Sequence, residues 1–503
     1  MFDASIFIDP HFQVGPVHPR TFGSFVEHMG RCVYTGVYEP GHPTADEDGF
    51  RGDVLDLTRE MGVTTIRYPG GNFVSNFRWE DSIGPVAERP ARLELAWRSL
   101  ETNQFGLHEF IRWCERAGVE PMMAVNLGTR GPQHALELLE YCNHPAGSQL
   151  SDLRRANGAE KPFGVKMWCL GNEMDGRWQV GHATADEYGR LAAKTASAML
   201  MIDSSLELVA CGSSSSVMPT FGSWEATVLD HTYEYVDFIS AHAYYQERDG
   251  DLPSFLASAV NMDSFITSVT ATADHIAAKK RLKKKINISF DEWNVWYLDR
   301  LQAMGNRDEW TAGRRLVEDE YNVADAVVVG NLLISLLRHS DRVTAASIAQ
   351  LVNMIAPIKT EPAGPAWRQT TFYPFALTAR HASGVVLRTA ITTPVVETTV
   401  YGEVPAVDSV VTCDEEAGSL SVFVVNRHLD ADARFSIDLR AFPGYHVVEH
   451  VVLSDPDVRA TNTLEQPERV VPRRVEGSTS DAAGSTEVLL PPMSWSLIRL
   501  NAA

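Results

Sequence analysis

Glu173 and Glu292 stand in matching settings. The first lies in residues 166–179, KMWCLGNEMDGRWQ, where an apolar run up to Leu170 meets a turn at Gly171, Asn172 and Glu173. The second lies in residues 285–296, KINISFDEWNVW, where another apolar run ends in Asp291, Glu292 and Trp293. Two carboxylates facing each other across a sugar can cleave a glycosidic bond. One protonates the leaving oxygen while the other attacks the anomeric carbon or activates water. The plain alternative for either glutamate is an ion pair at the edge of a fold. The neighbours favour chemistry: the Asn172 amide can hydrogen-bond a sugar hydroxyl, and Tyr244 can donate to Glu292 and hold it ionised. Trp79, Trp97, Trp178, Trp293 and Trp296 crowd the same part of the chain, and aromatic faces stack well on sugar C–H surfaces.

The elements needed to position this pair are legible as eight apolar runs, at 23–28, 64–69, 121–128, 166–173, 206–213, 238–245, 286–293 and 345–352. Near-continuous apolar strands are buried on both faces, as in a parallel sheet. Helical segments separate them. Residues 184–200 open with Thr184 and Glu187 as a capping box, and residues 320–338 form another helix. The pattern predicts an α/β fold, a (β/α)8 TIM barrel with its active site at the strand C-terminal ends. A doubly wound open sheet is the competing architecture, but its Gly-rich phosphate turn is missing. The run ends supply Glu27, Arg67, Asn72, Asn126, Asn172, Glu173, Ser213, His242, Tyr244, Glu292 and Gln350, polar groups that converge on one cavity. Beyond about residue 382 short alternating strands predict a C-terminal antiparallel β-sandwich, jelly-roll-like and completed by a strand at 4–9. The expected division is 1–15 for the N-terminal strand joining the sandwich, 16–381 for the barrel and 382–503 for the sandwich. Residues 465–485 are polar and read as a long loop.

At 503 residues, 44% hydrophobic and 22% charged, the chain has ample core for both units. Its formal net charge of −21 opposes nucleic acid and anionic membranes as partners but leaves a neutral sugar unaffected. The basic run at 279–285, KKRLKKK, suits a helix C-terminus, where cations favour the dipole. Six scattered cysteines contain no C-x-x-C pair, and Cys169 and Cys211 read as small hydrophobes within strands. The opening MFDASIFIDPHFQ lacks a signal-peptide pattern, and the apolar stretch 326–337 is too short to span a bilayer, so a cytoplasmic location is expected. His28, His182 and His242 have no metal-ligand spacing, the run Ser213–Ser216 is not a nucleophile elbow, and no metal or cofactor is expected. Asp175 and Asp291, beside the two glutamates, read as loop-orienting.

Five segments carry a resemblance in register through the whole barrel: FGSFVEHMGRCVYTGVYEPGH (22–42), RYPGGNFVSNFRWEDSIGP (67–85), WCLGNEMDGRWQ (168–179), AHAYY (241–245) and SFDEWNVWY (289–297). They resemble glycoside hydrolase family 51, mainly α-L-arabinofuranosidases, and PPMSWSLIRL (491–500) is similar to the family's sandwich ending. The resemblance implies a retaining, exo-acting enzyme that removes terminal α-L-arabinofuranosyl residues from arabinan, arabinoxylan or their oligosaccharides. It implies Glu173 as acid/base and Glu292 as nucleophile. Glu27, Arg67, Asn72 and Asn172 would bind the sugar hydroxyls, Tyr244 and Gln350 would line the same subsite, and Trp97, Trp178 and Trp296 would form walls. The family often assembles as hexamers, so a homo-oligomer is expected. Alternatives are a β-xylosidase or endo-β-glucanase on the same pair, a non-catalytic sugar-binding protein, or a Schiff-base barrel enzyme; the last lacks a lysine at any strand's C-terminal end.

Overall fold

A computed structural model describes residues 1–303, 310–476, 479–480 and 484–502. Eight parallel strands close into a barrel in chain order: β1 (Gly23–Phe25), β2 (Thr65–Tyr68), β3 (Glu120–Ala124), β4 (Met167–Leu170), β5 (Glu207–Ala210), β6 (Phe238–Tyr245), β7 (Asn287–Val295) and β8 (Val343–Ile348). β8 pairs with β1 to complete the ring. All eight fall on the predicted apolar runs, several shorter because the chain leaves the ladder before the polar run ends. The barrel therefore displaces the open sheet as the architecture.

Helices cover the outside. The helix Ala185–Ile202 starts at its capping box, with Thr184 and Glu187 satisfying each other's backbone N–H groups. The helix Ala259–Lys280 ends within the basic run, with Lys279 and Lys280 in its last turn. The helix Val323–Arg338 is buried along its length except at Arg338, because it lies between the barrel and the sandwich. Gly330 makes that burial possible: a Cβ there would meet the Trp495 indole at 2.1 Å. Trp495, the tryptophan of the C-terminal part, thus packs the sandwich onto a barrel helix.

The sandwich has a five-stranded and a seven-stranded sheet. One feature departs from a purely antiparallel domain. Phe2–Phe7 enters the five-stranded sheet between Ala390–Thr392 and Ala433–Asp438 and runs parallel to the latter. Gln13–Pro16 joins the other sheet beside Val385–Leu387. Within the polar stretch expected as a loop, Arg473–Arg474 and Thr479–Ser480 form short edge strands, while 477–478 and 481–483 lie outside the described residues.

A polar cluster ties the two units together. Asp408, on a sandwich strand, accepts hydrogen bonds from Arg427 at 2.7 Å and from Asn331 at 2.8 Å, and pairs with Arg338. Arg338 also reaches Asp263 at 2.7 Å. Burial would raise the Asp408 carboxyl, but Arg338 and Arg427 outweigh it and hold the group down at about 2. Its stabilising contribution is therefore complete above its ordinary value near 3.8 and is lost as pH falls through about 2. Asp408→Ala leaves the buried Arg427 guanidinium without its counter-charge. Unfolding in denaturant at pH 7 should show a loss of roughly 3–5 kcal/mol; a change below about 1 kcal/mol would contradict the role given to the cluster.

Candidate active site

Packing fixes the end of β4 before its chemistry begins. Tyr188, on the capped helix, donates its hydroxyl to the Leu170 carbonyl at 2.8 Å and accepts the Cys211 amide at 2.7 Å, joining the ends of β4 and β5. The chain then turns through Gly171, and Glu173 takes a left-handed φ of 43°. A side chain there costs on the order of 1–3 kcal/mol, which the contacts of its carboxylate offset. His242 Nδ1 lies 2.9 Å from Glu173 Oε1, and the Trp178 indole N–H donates to Oε2 at 2.6 Å.

Glu292 sits on β7 opposite His242 on β6. Arg67, from β2, donates one Nη to Glu292 Oε1 at 2.8 Å and the other to Asn172 Oδ1 at 2.6 Å. Tyr244 donates its hydroxyl to Glu292 Oε2 at 2.7 Å, and His242 Nδ1 lies 3.5 Å from the same oxygen. Burial alone would raise the Glu292 carboxyl; His242, Arg67 and Tyr244 outweigh it and hold the group below its ordinary value. Burial would likewise lower His242, but Glu292 and Glu173 hold the imidazole above its ordinary value. The site therefore keeps an anionic Glu292 beside a proton-bearing His242.

Glu27 forms the opposite corner. The chain beyond β2 passes close against it: a Cβ on Gly71 would meet Glu27 Oε2 at 2.9 Å, and one on Gly70, where φ is 86°, would meet the Phe25 ring at 1.9 Å. Phe73 N and Trp97 Nε1 donate to Glu27 Oε1 at 2.9 and 2.8 Å, and Gln350 Nε2 donates to Oε2 at 3.2 Å. Burial, with the Glu292 charge added, pushes the Glu27 carboxyl up to about 8. Gln350 Oε1 has no partner among the described residues. Turning its amide over would let that oxygen accept the proton of a neutral Glu27.

These groups surround a cavity of ≈ 300 Å³. Of the sequence-derived residues, Glu27, Asn72, Glu173, Tyr244, Glu292 and Gln350 line it, as do Trp97 and Trp296. Arg67 and Asn172 stand behind that lining, both about 1% exposed, and act through Glu292 and each other. Trp178 lies at the rim, 53% exposed. Trp79 and Trp293 are core residues rather than sugar platforms; Trp293 stacks on Phe375. Sequence reasoning missed Phe25, Met29, Gly71 and Ile355 in the wall, and His242 as the group between the glutamates. The signal for His242 was its spacing of two from Tyr244 on one strand, which puts both on the same face. A larger hollow of ≈ 530 Å³ lies behind the Trp97 loop. Its buried carboxylates serve structure: Glu94 accepts the amides of Ala96 and Trp97, both at 2.7 Å, and Glu101 pairs with His28 and Tyr34.

Glu173, His242 and Glu292 each present one ligating atom, all within 4.8 Å of one another. Such a triad can hold a cation or share a proton. Here Arg67 and Tyr244 already donate to the two Glu292 oxygens, Trp178 donates to Glu173, and a guanidinium sits alongside. That surrounding suits an acid/base and nucleophile pair better than a metal.

Comparison with known proteins identifies the family. A family model described as "Alpha-L-arabinofuranosidase 1 domain" matches residues 57–261, and one described as "Alpha-L-arabinofuranosidase C-terminal domain" matches 291–494. The chain is 58% identical over 501 residues to an intracellular exo-α-(1→5)-L-arabinofuranosidase of Streptomyces lividans, covering 99% of this chain and 75% of that one. It is 56% identical over 512 residues to an exo-α-(1→6)-L-arabinofuranosidase of Bifidobacterium longum, covering 99% and 97%. Among solved structures, AbfB, a family 51 α-L-arabinofuranosidase from Bifidobacterium longum, superposes with a TM-score of 0.96 at 50% identity over the whole of both chains.

The Glu27 environment predicts a pH signature in stability. Between its ordinary value near 4.5 and about 8 the folded chain holds a proton that the unfolded chain has released. That contribution is complete below about 4.5 and is lost as pH rises, at up to roughly 1.4 kcal/mol per pH unit. Glu27→Gln removes the dependence. Its melting temperature relative to the parent should climb between pH 5 and 8 and level off above; a pH-independent difference in calorimetry would rule out a neutral Glu27.

Proposed function

The chain belongs to the α-L-arabinofuranosidases of glycoside hydrolase family 51, and on that premise we propose that it removes terminal non-reducing α-L-arabinofuranosyl residues by an exo-acting, retaining mechanism. Glu292, kept anionic, attacks the anomeric carbon while Glu173 gives its proton to the departing oxygen. The product is a covalent arabinosyl ester on Glu292. Glu173 then takes a proton from water, the hydroxide adds to the anomeric carbon, and Glu292 leaves as a carboxylate. The observation that carries this reading is the separation of the two carboxylates, within 4.8 Å at their nearest oxygens. A direct-attack pair sits roughly 5–5.5 Å apart, whereas a pair that admits water sits roughly 6.5–9.5 Å apart.

The remaining residues divide by position. Asn72, Glu27, Tyr244 and Gln350 line the cavity and bind the sugar hydroxyls, while Trp97 and Trp296 wall the ring and Trp178 meets the leaving group at the rim. Arg67 and Asn172 hold the two glutamates in register. Exo action is supported by the exo-acting designation of similar relatives reported above.

Arabinan, arabinoxylan and their oligosaccharides are the proposed substrates. The relatives above carry names with different linkages, (1→5) and (1→6), at nearly equal identity, so linkage preference lies in the rim loops. One of these, 294–318, includes residues 304–309, outside those described. A cytoplasmic location is supported by the intracellular designation of relatives and favours short imported oligosaccharides. No helix among the described residues is long and apolar enough to cross a membrane. A homo-oligomer, the hexamer included, belongs to the same proposal and is read by light scattering.

Proton NMR of the enzyme acting on p-nitrophenyl α-L-arabinofuranoside tests the mechanism. The α-anomer of arabinose should appear first; β-arabinose first would mean inversion and remove Glu292 as nucleophile. Turnover of only the β-D-xylopyranoside would keep the pair and change the substrate. Glu292→Ala should abolish turnover altogether. Glu173→Ala should lower kcat/KM on arabinobiose by about 10²–10⁴-fold but far less on the aryl glycoside, with azide restoring deglycosylation. Equal, mild losses from both variants would contradict the assignment.

A further inference from the structure

Three polar atoms on neighbouring strand ends are buried without a hydrogen-bond partner among the described residues: His242 Nε2, Ser213 Oγ and Asp175 Oδ1. His242 is 2% exposed and Ser213 is fully buried. They come from adjacent parts of the barrel. Asp175 follows Glu173 beyond β4, Ser213 follows β5, and His242 is on β6. Ser213 is the link between the other two. Its carbonyl accepts the His242 amide at 3.4 Å, and the next residue, Ser214, donates both its amide and its hydroxyl to Asp175 Oδ2, at 3.0 and 3.1 Å. The Ser213 amide is committed to Glu225 at 2.7 Å, so its hydroxyl remains for other use. Leaving three such groups unpaired away from water forfeits the full desolvation cost of each. A single buried water making about three hydrogen bonds is the usual remedy.

We propose that Asp175 and Ser213 hold one water against His242 Nε2, and that Asp175 is thereby a positioning residue acting through His242 on Glu173. The imidazole then donates from both nitrogens: Nδ1–H toward Glu173 and Glu292, Nε2–H toward the water. The water donates in turn to Asp175 Oδ1 and Ser213 Oγ. Asp175 is thus the acceptor that makes a doubly protonated His242 satisfiable in a buried site. Without it the water loses its charged acceptor and holds Nε2–H less firmly, and the ring shifts toward a neutral form that no longer supports proton transfer at Glu173. The charged and titratable groups that act on the imidazole are Glu292, Glu173 and Arg67, and Asp175 feels its charge in turn. Burial, opposed by the Ser214 amide and reinforced by Glu173, pushes the Asp175 carboxyl up to about 6, so it carries charge at neutral pH.

The inference rests on Glu173 being the acid/base, and the test separates the two. Asp175→Asn is nearly isosteric and keeps an acceptor for Ser214. Its kcat/KM on arabinobiose, whose leaving group needs protonation, should fall about tenfold, part of the 10²–10⁴ that acid–base catalysis supplies. Its kcat/KM on p-nitrophenyl α-L-arabinofuranoside should fall much less. The alkaline limb of the arabinobiose profile should move to lower pH, because His242 loses its proton earlier. Ser213→Ala should change both in the same direction but less, and a high-resolution crystal structure of the parent should place a water touching all three atoms. Equal losses on both substrates with an unmoved alkaline limb, or a crystal structure with the three atoms in dry contact, would overturn the proposal. Glu173→Ala, run in parallel, discriminates. If its own loss ignores the leaving group, the acid/base reading fails; if Glu173→Ala depends on the leaving group and Asp175→Asn does not, only the positioning role fails.

Discussion

One buried cation balances the charges on which this site depends. Arg67 is 1% exposed, and its guanidinium reaches Glu292 and Asn172 with separate nitrogens while Asp291 lies 3.7 Å from its Nε. Around it stand Glu27, Glu173, Glu292 and Asp291, four acids in a space with little water. Burying that many anions would cost far more than the fold can supply. The structure resolves this by differentiation. Glu292 takes the guanidinium and stays charged, whereas Glu27, beyond its reach, is pushed up to about 8 and is neutral at ordinary pH. His242 sits between the two glutamates, whose charges hold its imidazole above its ordinary value and favour a second positive group there. Each of these states requires the others, and all require the closed ring that brings β2, β4, β6 and β7 together.

Closure explains how much of the molecule was legible in the chain. Strands buried on both faces have to be apolar throughout, so the eight runs stand out, and polar residues at their ends mark the catalytic mouth. The pair Glu173 and Glu292 follows from that pattern as candidates; their separate roles came from resemblance. Alternation explains a misreading. Glu292 points into the barrel, so Trp293 next to it must point out, and it stacks on Phe375 in the helical layer. Phe25, Met29 and Ile355 escaped notice because an apolar residue in a sugar-binding wall has the same signature as one in a core. Trp97 could be placed only loosely, since it sits on a long loop whose path depends on contacts distant in sequence, such as Arg314 donating to its carbonyl. The parallel entry of Phe2–Phe7 into the sandwich was equally hidden. A strand's composition tells that it pairs, not which partner it finds more than 400 residues later.

The sandwich is held by means unlike those of the active site. Its contact with the barrel is a largely apolar helix face and one nested indole, Trp495 on Gly330, with a cluster of paired polar groups at Asp408. Nonpolar packing supplies the adhesion, and the ion pairs, which contribute little net energy once buried, fix the angle at which the units meet. The basic run 279–285 belongs to the same surface economy: two of its lysines close a helix and pair with Asp230.

The position of Phe2–Phe7 also governs when this molecule can be finished. That strand is an interior member of its sheet, and its parallel neighbour is Ala433–Asp438. A ribosome adding roughly 5–20 residues per second takes on the order of 20 seconds to a minute and a half between the two. Through that interval the early segment has no ladder to join, and the apolar helix Val323–Arg338 has no sandwich to cover it. Assembly of this sheet is therefore a late event, completed only once residues 433–438 have been made, and the nascent segments must be kept from aggregating until they meet.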